Sequence, residues 1–134
     1  MENVGIVVQD LPAATAFFVE LGVKLLGGGA SGWTAWWRSG GVRVDVAMFE
    51  TLDGHGRLEL MKFRGPPARV GDRHAPANTL GIRRIAVSVD DIDAAVAKLQ
   101  ARGTELVGGM ESYEDSYRLC DVRGPERSSS CWRS

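Results

Sequence analysis

Residues Arg84–Gly109 read RIAVSVDDIDAAVAKLQARGTELVGG, and this stretch decides the fold. Shifted by 81 positions, it lies without a gap on residues Asn3–Gly28, NVGIVVQDLPAATAFFVELGVKLLGG. The two copies share residues at the pairs Val8/Val89, Asp10/Asp91, Ala13/Ala94, Ala14/Ala95, Ala16/Ala97, Gly22/Gly103, Leu25/Leu106, Gly27/Gly108 and Gly28/Gly109. An internal repeat of this kind indicates that one structural unit occurs twice.

Each copy has the pattern of a strand, a helix and a further strand. Period-two alternation is typical of a strand with two distinct faces. Asp10 and Asp91 suit the N-cap of the helix that follows, and Gly22 and Gly103 suit its end. Apolar residues at helical spacing form the stripes Leu11, Ala14, Phe18, Leu21 and Ile92, Ala95, Val96, Leu99. We expect Val4, Ile6, Val8 and Ile85, Val87, Val89 to face these helices, and Asn3, Gly5, Val7 and Arg84, Ala86, Ser88 to face away.

The remaining sequence predicts further strands at Val42–Phe49, Arg57–Phe63, Glu105–Gly109 and Tyr117–Arg123. On the second of these, Leu58 and Leu60 are expected on one face and Arg57, Glu59 and Met61 on the other. The glycine- and tryptophan-rich stretch 27–41 fits either a hairpin arm with its turn near Ser39–Gly41 or a poorly ordered loop. The tail ERSSSCWRS offers three serines where an alternating apolar face is expected, which predicts a degraded last strand.

Length and composition favour one soluble domain of 134 residues, with module one at 1–63, a proline-rich linker at 64–81 and module two at 82–134. The net charge of −1 gives no basic field for nucleic acid or an anionic membrane. No apolar run approaches the roughly 20 residues that span a bilayer. The start, MENVGIVVQD, lacks the pattern of a secretion signal, so we expect a cytoplasmic protein with Cys120 and Cys131 reduced.

The order strand–helix–strand–strand–strand, occurring twice, resembles the vicinal oxygen chelate superfamily, also known as glyoxalase/bleomycin resistance/dioxygenase. The segments DGHGRLELMKF, NTLGIRRIAVSVDDID and ESYEDSYRLCDVRGPE are similar to small bacterial glyoxalase-like members. The resemblance implies an α+β fold of two βαβββ modules, with curled mixed sheets enclosing a cleft and the helices outside. It also implies a homodimer. This scaffold carries many unrelated functions, so the site must decide the activity.

In metal-dependent members each module offers one ligand on its first strand and one on its last. Carried over by position, these ligands fall on Asn3, Glu59, Arg84 and a residue near Ser129, and only Glu59 matches. Arg84 cannot be a ligand, because its guanidinium stays protonated and offers donors alone. We therefore expect no metal and no other cofactor, with Arg84 taking over the positive charge. A divalent metal held in part by Glu59 is the alternative.

The interpretation of the single residues leaves alternatives open. Glu59 and Arg84 either contact a ligand or form a structural ion pair with each other, and Asn3 is either a ligand contact or a strand-end residue. Tyr113 and Tyr117 either line the pocket with their hydroxyls or pack on the strands. His55, in a turn, and His74, in the linker, favour solvated side chains over metal binding. Asp90-Asp91 favours helix capping over acid–base chemistry.

Three functions remain open at this point. The first is a protein that binds a small organic or anionic ligand in the cleft without a full metal site. The second is a metal-dependent glyoxalase-like lyase or dioxygenase, with Glu59 as one ligand. The third is a degenerate, non-binding copy whose stretch 27–41 and tail 127–134 were altered by a reading-frame change.

Overall fold

The computed structural model describes residues 2–28, 33–36, 41–72, 75–76, 78–82, 84–113, 117–127 and 129–133, with the backbone alone for 33–36, 113, 127 and 129–133. The chain divides into two compact units, Met1–Gly71 and Asp72–Ser134. The boundary between the units falls inside the linker predicted at 64–81. Within the described ranges, no helix is both long enough and apolar enough to span a bilayer.

The first unit is a mixed sheet with one helix. Its elements are β1 (Val4–Val7), α1 (Leu11–Glu20), β2 (Lys24–Gly27), β3 (Trp33–Trp36), β4 (Arg43–Glu50) and β5 (Arg57–Gly65). Strand β1 runs parallel to β5, which pairs antiparallel with β4. Strands β2 and β3 both pair antiparallel with β4, at different parts of its length.

The second unit repeats this plan. Its elements are β6 (Arg84–Ser88), α2 (Ile92–Ala101), β7 (Leu106–Tyr113), β8 (Tyr117–Arg123) and β9 (Ser129–Arg133), with the strand order β6-β9-β8-β7. Strand β6 runs parallel to β9, as β1 does to β5. Both ends of α2 lie 81 positions after those of α1, so the repeat is confirmed. The predicted mixed α+β fold is confirmed as well.

The helix ends follow the capping residues that the sequence predicted. Asp10 Oδ1 accepts a hydrogen bond from the Ala13 backbone N–H at 3.0 Å, and Asp91 Oδ1 accepts one from Ala94 at 2.9 Å. After the helices, Gly22 and Gly103 have φ values of +87° and +80°, which only glycine adopts without strain. The capping interpretation of Asp91 is therefore confirmed.

The core of each unit lies between the helix and one face of its sheet. The predicted stripes are buried: Leu11, Ala14, Phe18 and Leu21 on the first helix, and Ile92, Ala95, Val96 and Leu99 on the second. Phe18 meets Phe49 of β4 with ring centroids 5.9 Å apart. Leu58 and Leu60 are buried on the same face of the sheet, in register with Phe49 and Ala47. The opposite face of each sheet is called the helix-free face below.

Two segments for which the sequence did not predict a regular strand form strands in the structure. β3 pairs with β4 through Trp33↔Val46 to Trp36↔Arg43, which favours the hairpin arm over the loop. Of the turn predicted near Ser39–Gly41, Ser39 and Gly40 lie outside the described residues. β9 lies between β6 and β8, where the sequence predicted a degraded strand. Serine supplies the same backbone N–H and C=O groups as any other residue, so a strand with partners on both sides forms without an alternating apolar pattern.

Candidate functional site

The helix-free face of the first unit carries a carboxylate held by an amide. Glu59 on β5 lies in register with Gly5 on β1 and with Met48 on β4. Asn3 Nδ2 donates a hydrogen bond to Glu59 Oε2 at 2.7 Å. The sequence predicted that Asn3 and Glu59 share this face, and the hydrogen bond brings them into direct contact.

Apolar side chains surround this pair. Strand register places Val44, Val46, Met48, Met61 and Phe63 on the same face as Glu59. A Cβ atom at Gly5 would lie 2.8 Å from Met61 Cε, so the glycine gives the methionine side chain its space. Glu59 is half-buried. Val44 and Val46 are buried, so the apolar surface beside this carboxylate consists of Met48, Met61 and Phe63, which are half-buried.

The helix-free face of the second unit carries an ion pair. Arg84 Nη2 lies 3.3 Å from Asp121 Oδ2, with side chains 55% and 26% exposed, respectively. Asp121 Oδ1 is covered and has no hydrogen-bond partner in the described part of the chain. The guanidinium therefore keeps much of its surface in solvent, while Asp121 compensates part of its charge.

Asn3 and Arg84 occupy the same place in the repeat, and each contacts a carboxylate of its own sheet. The carboxylate is Glu59 on the last strand of the first unit and Asp121 on β8 of the second. Sequence reasoning missed Asp121 because it looked for the carboxylate on the last strand. The alternation in YRLCDVR was the available signal, since it puts Asp121 on the same face as Tyr117.

The remaining predicted positions are distributed as follows. Tyr113 and Tyr117 are paired in register where β7 and β8 meet. Tyr117 lies four residues before Asp121 on β8, so these two positions belong to the same face of the strand. The expected equivalent of Glu59, near Ser129, is corrected to Cys131, because Ala86 is in register with Cys131 as Gly5 is with Glu59. Arg84 and Glu59 belong to different units, and their pairing stays a prediction. His74 and residues 37–40 lie outside the described residues.

Polar residues in the turn between β4 and β5 form hydrogen bonds within the turn itself. Asp53 Oδ1 accepts hydrogen bonds from the Thr51 hydroxyl at 2.5 Å and from the His55 backbone N–H at 3.0 Å. The Thr51 hydroxyl, followed by the His55 N–H, holds the pKa of Asp53 below its usual value. His55 thus contributes its backbone to a turn.

Of the three described positions carried over from metal-dependent members, Glu59 alone offers an anionic oxygen for a divalent metal. Glu59 offers carboxylate oxygens, but one of them accepts from Asn3, whose amide nitrogen points at it. Arg84 offers hydrogen-bond donors alone. Across the described ranges, no group of three or more His, Cys, Asp or Glu lies close enough to hold an ion.

Three further ionisable groups, Asp93, Arg118 and Cys120, have shifted pKa values and lie away from the helix-free faces. A hydrogen bond from Arg118, reinforced by its charge, lowers the pKa of Asp93 on α2. The two groups form a two-fold contact, with Nη1–Oδ2 at 2.6 Å and Nη2–Oδ1 at 2.9 Å. Burial, and then the charge of Asp121, raises the pKa of the Cys120 thiol. Asp93 and Arg118 join the helix to its sheet.

Solved structures show where this architecture recurs. A glyoxalase family protein from Bacillus cereus matches with a TM-score of 0.88 and 41% identity, over 99% of this chain and 91% of that one. A genomically encoded fosfomycin resistance protein from Listeria monocytogenes matches with a TM-score of 0.63 and 14% identity, over 100% and 89%. Lactoylglutathione lyase from Agrobacterium tumefaciens matches with a TM-score of 0.58 and 15% identity, over 99% and 91%. The last two likenesses concern the fold alone.

The sequence itself carries the family signature. A search among curated proteins found no match. The profile of the Glyoxalase/Bleomycin resistance protein/Dioxygenase superfamily matches residues 2–120, which is most of the chain. The chain therefore belongs to the glyoxalase/bleomycin resistance protein/dioxygenase superfamily.

Proposed function

We propose that this protein binds a small organic or anionic ligand on its helix-free sheet faces, without a full metal site. The observation that carries the proposal is Arg84, a cation with a 55% exposed side chain on such a face. Arginine remains charged at any physiological pH and can bind a carboxylate or phosphonate through two hydrogen bonds. A fixed guanidinium therefore supplies the positive charge that a metal supplies elsewhere in the superfamily.

The first unit, taken by itself, offers contacts to an organic ligand. Its helix-free face is apolar around Glu59, with Met48 and Met61 as flexible neighbours. Methionine side chains adapt to irregular shapes and accommodate different apolar groups. Asn3 fixes Glu59 in one orientation, so that the carboxylate can accept a hydrogen bond from a ligand hydroxyl or amide.

The alternative is a metal-dependent glyoxalase-like lyase or dioxygenase. Glu59, at the position of a metal ligand in the family, is the observation that favours it. At most one further ligand could come from Asn3, through its side-chain carbonyl oxygen, and none from Arg84, whose guanidinium offers donors alone. We propose further that the protein acts as a homodimer, as the resemblance implies. We also propose a cytoplasmic location, because two cysteines are too few for a disulfide framework.

The test uses purified wild-type protein and two probes taken from the fold relatives, fosfomycin and S-lactoylglutathione. Both probes carry anionic groups. We expect saturable binding by calorimetry and a substoichiometric content of Ni, Zn, Mn and Fe by elemental analysis. Arg84→Ala should weaken binding about tenfold or more, because a hydrogen bond to a charged group contributes about 1.5–3 kcal/mol.

Arg118→Ala is the matched control. Arg118 is also an arginine of the second unit paired with an aspartate, but it lies on the helix side of the sheet. Its loss should leave the dissociation constants within about twofold of wild type. Equal affinities for wild type and Arg84→Ala would remove Arg84 from the site. A stoichiometric divalent metal that is lost in Glu59→Gln would support the lyase or dioxygenase instead.

A further inference from the structure

Arg84 and Asp121 use only part of their hydrogen-bonding capacity on each other. Their N···O distance of 3.3 Å is longer than the roughly 2.7–2.9 Å of a strong charge-assisted hydrogen bond. A guanidinium has five N–H donors and a carboxylate about four acceptor positions. The pair therefore presents a positive and a negative group, side by side, with capacity for further partners.

The carboxylate of Asp121 can accept a further hydrogen bond. Its Oδ1 is covered and without a hydrogen-bond partner among the described residues, whereas the side chain as a whole is 26% exposed. The terminal torsion of aspartate is broad, so the carboxylate can turn toward a donor that arrives on its exposed side at little cost. A hydrogen-bond donor on the ligand would therefore fill an acceptor position of this carboxylate that no described residue fills.

Charge balance restricts the ligands that fit the pair. A simple anion is attracted by Arg84 and repelled by Asp121, and a simple cation meets the reverse situation. A molecule that carries both charges gains from both residues. Because the two protein groups lie only 3.3 Å apart, the ligand charges must also be neighbours.

We infer that the ligand of this face is a zwitterion with an ammonium group next to its carboxylate, as in an α-amino acid or its derivative. The carboxylate lies on Arg84 and the ammonium on Asp121. The inference rests on the proposed function, because it uses the same face and the same arginine. It adds Asp121 as a specificity-determining residue and names the chemical class of the ligand.

The wild-type protein tests the inference through a series of small probes. L-Alanine, propionate and ethylammonium are matched in size and differ in their charged groups, and 5-aminopentanoate separates the two charges. Dissociation constants come from amide chemical-shift titrations, which measure weak binding. L-Alanine should bind about tenfold more tightly than the other three probes, as expected for one added charge-assisted hydrogen bond.

Asp121→Asn keeps the shape of the side chain and removes its charge. This variant should lose the preference for L-alanine and bind propionate at least as well as wild type does. Asp93→Asn, an aspartate of the same unit paired with Arg118 on the helix side, is the control and should keep the preference. If Asp121→Asn does not fold, the probe series on wild type still decides.

The outcomes separate this inference from the proposed function. Binding of propionate that requires Arg84, with no preference for L-alanine, would overturn the zwitterion and leave the anion-binding proposal intact. A preference that persists in Asp121→Asn would overturn the role of Asp121. Binding of none of the four probes would overturn the inference, while fosfomycin and S-lactoylglutathione still test the proposed function.

Discussion

At the scale of single residues, equivalent positions of the two units carry side chains with different chemistry. Asn3 and Arg84 correspond in the repeat, and each contacts a carboxylate on its helix-free face. In the first unit the contact is a hydrogen bond between an amide and a carboxylate. In the second it joins full charges, whose mutual attraction is reduced by solvent because both side chains are partly exposed. The first pair is therefore a net anion, whereas the second presents a positive and a negative group side by side.

A different residue pair has a pH dependence that can be tested. Arg118 lowers the pKa of Asp93 below its ordinary value of 3.8. A carboxyl with a lowered folded-state pKa contributes stability that is present above the unfolded value and is lost as the pH falls through the folded value. Asp93→Asn should therefore be less stable than wild type at pH 7, and the difference should shrink as the pH falls below about 3.8. Urea denaturation at pH 7 and pH 2.5 measures both differences.

The control for this prediction is Asp93→Asn in an Arg118→Ala background, where the partner of Asp93 is absent. Its stability difference from Arg118→Ala alone should not follow the same pH course. A stability gap for Asp93→Asn that is equally large at both pH values would show that the charge of Asp93 is not the source. A property of the side chain other than its charge would then account for the loss.

At the scale of elements, the two helices allow a matched test of capping. Asp91→Ala removes the acceptor for the Ala94 backbone N–H and should lower the free energy of unfolding by about 1 kcal/mol. Asp10→Ala should cost a similar amount, because Asp10 makes the same bond to Ala13. Asp90→Ala is the control: Asp90 is adjacent, exposed and outside the cap. A loss for Asp90→Ala as large as that for Asp91→Ala would contradict the assignment of the cap.

The helices and their strands were also the part of the fold that the sequence predicted best. Their signals are local, because a cap, an apolar stripe and a glycine stop all lie within one short segment. The strand β9 was predicted as degraded but is formed, since its stability comes from backbone pairing with β6 and β8, which are distant in sequence. Asp121 was missed for a related reason: its contact with Arg84 joins strands that are far apart in the chain. Pairing between distant segments leaves little trace in local patterns.

At the scale of the whole molecule, duplication has kept the backbone plan and changed the chemistry of the site positions. Both units have the order strand, helix and strands, with the first strand parallel to the last. The side chains on the helix-free faces differ, from an apolar surface around Glu59 to the charged pair Arg84–Asp121.

The expected homodimer can be tested at the segment that joins the units. Leu80 and Ile82 are 93% and 81% exposed, an arrangement that costs free energy in water and marks interaction surfaces when apolar residues cluster. If a second copy covers these side chains, the double variant Leu80→Ser/Ile82→Ser should shift the protein toward the monomer in light scattering. The dissociation constant of the dimer should rise at least tenfold. Val70→Ser, with a 72% exposed side chain earlier in the same segment, is the comparison variant. Wild-type protein that stays monomeric at high concentration, or a double variant that dimerises as tightly as wild type, would show that Leu80 and Ile82 do not form the interface.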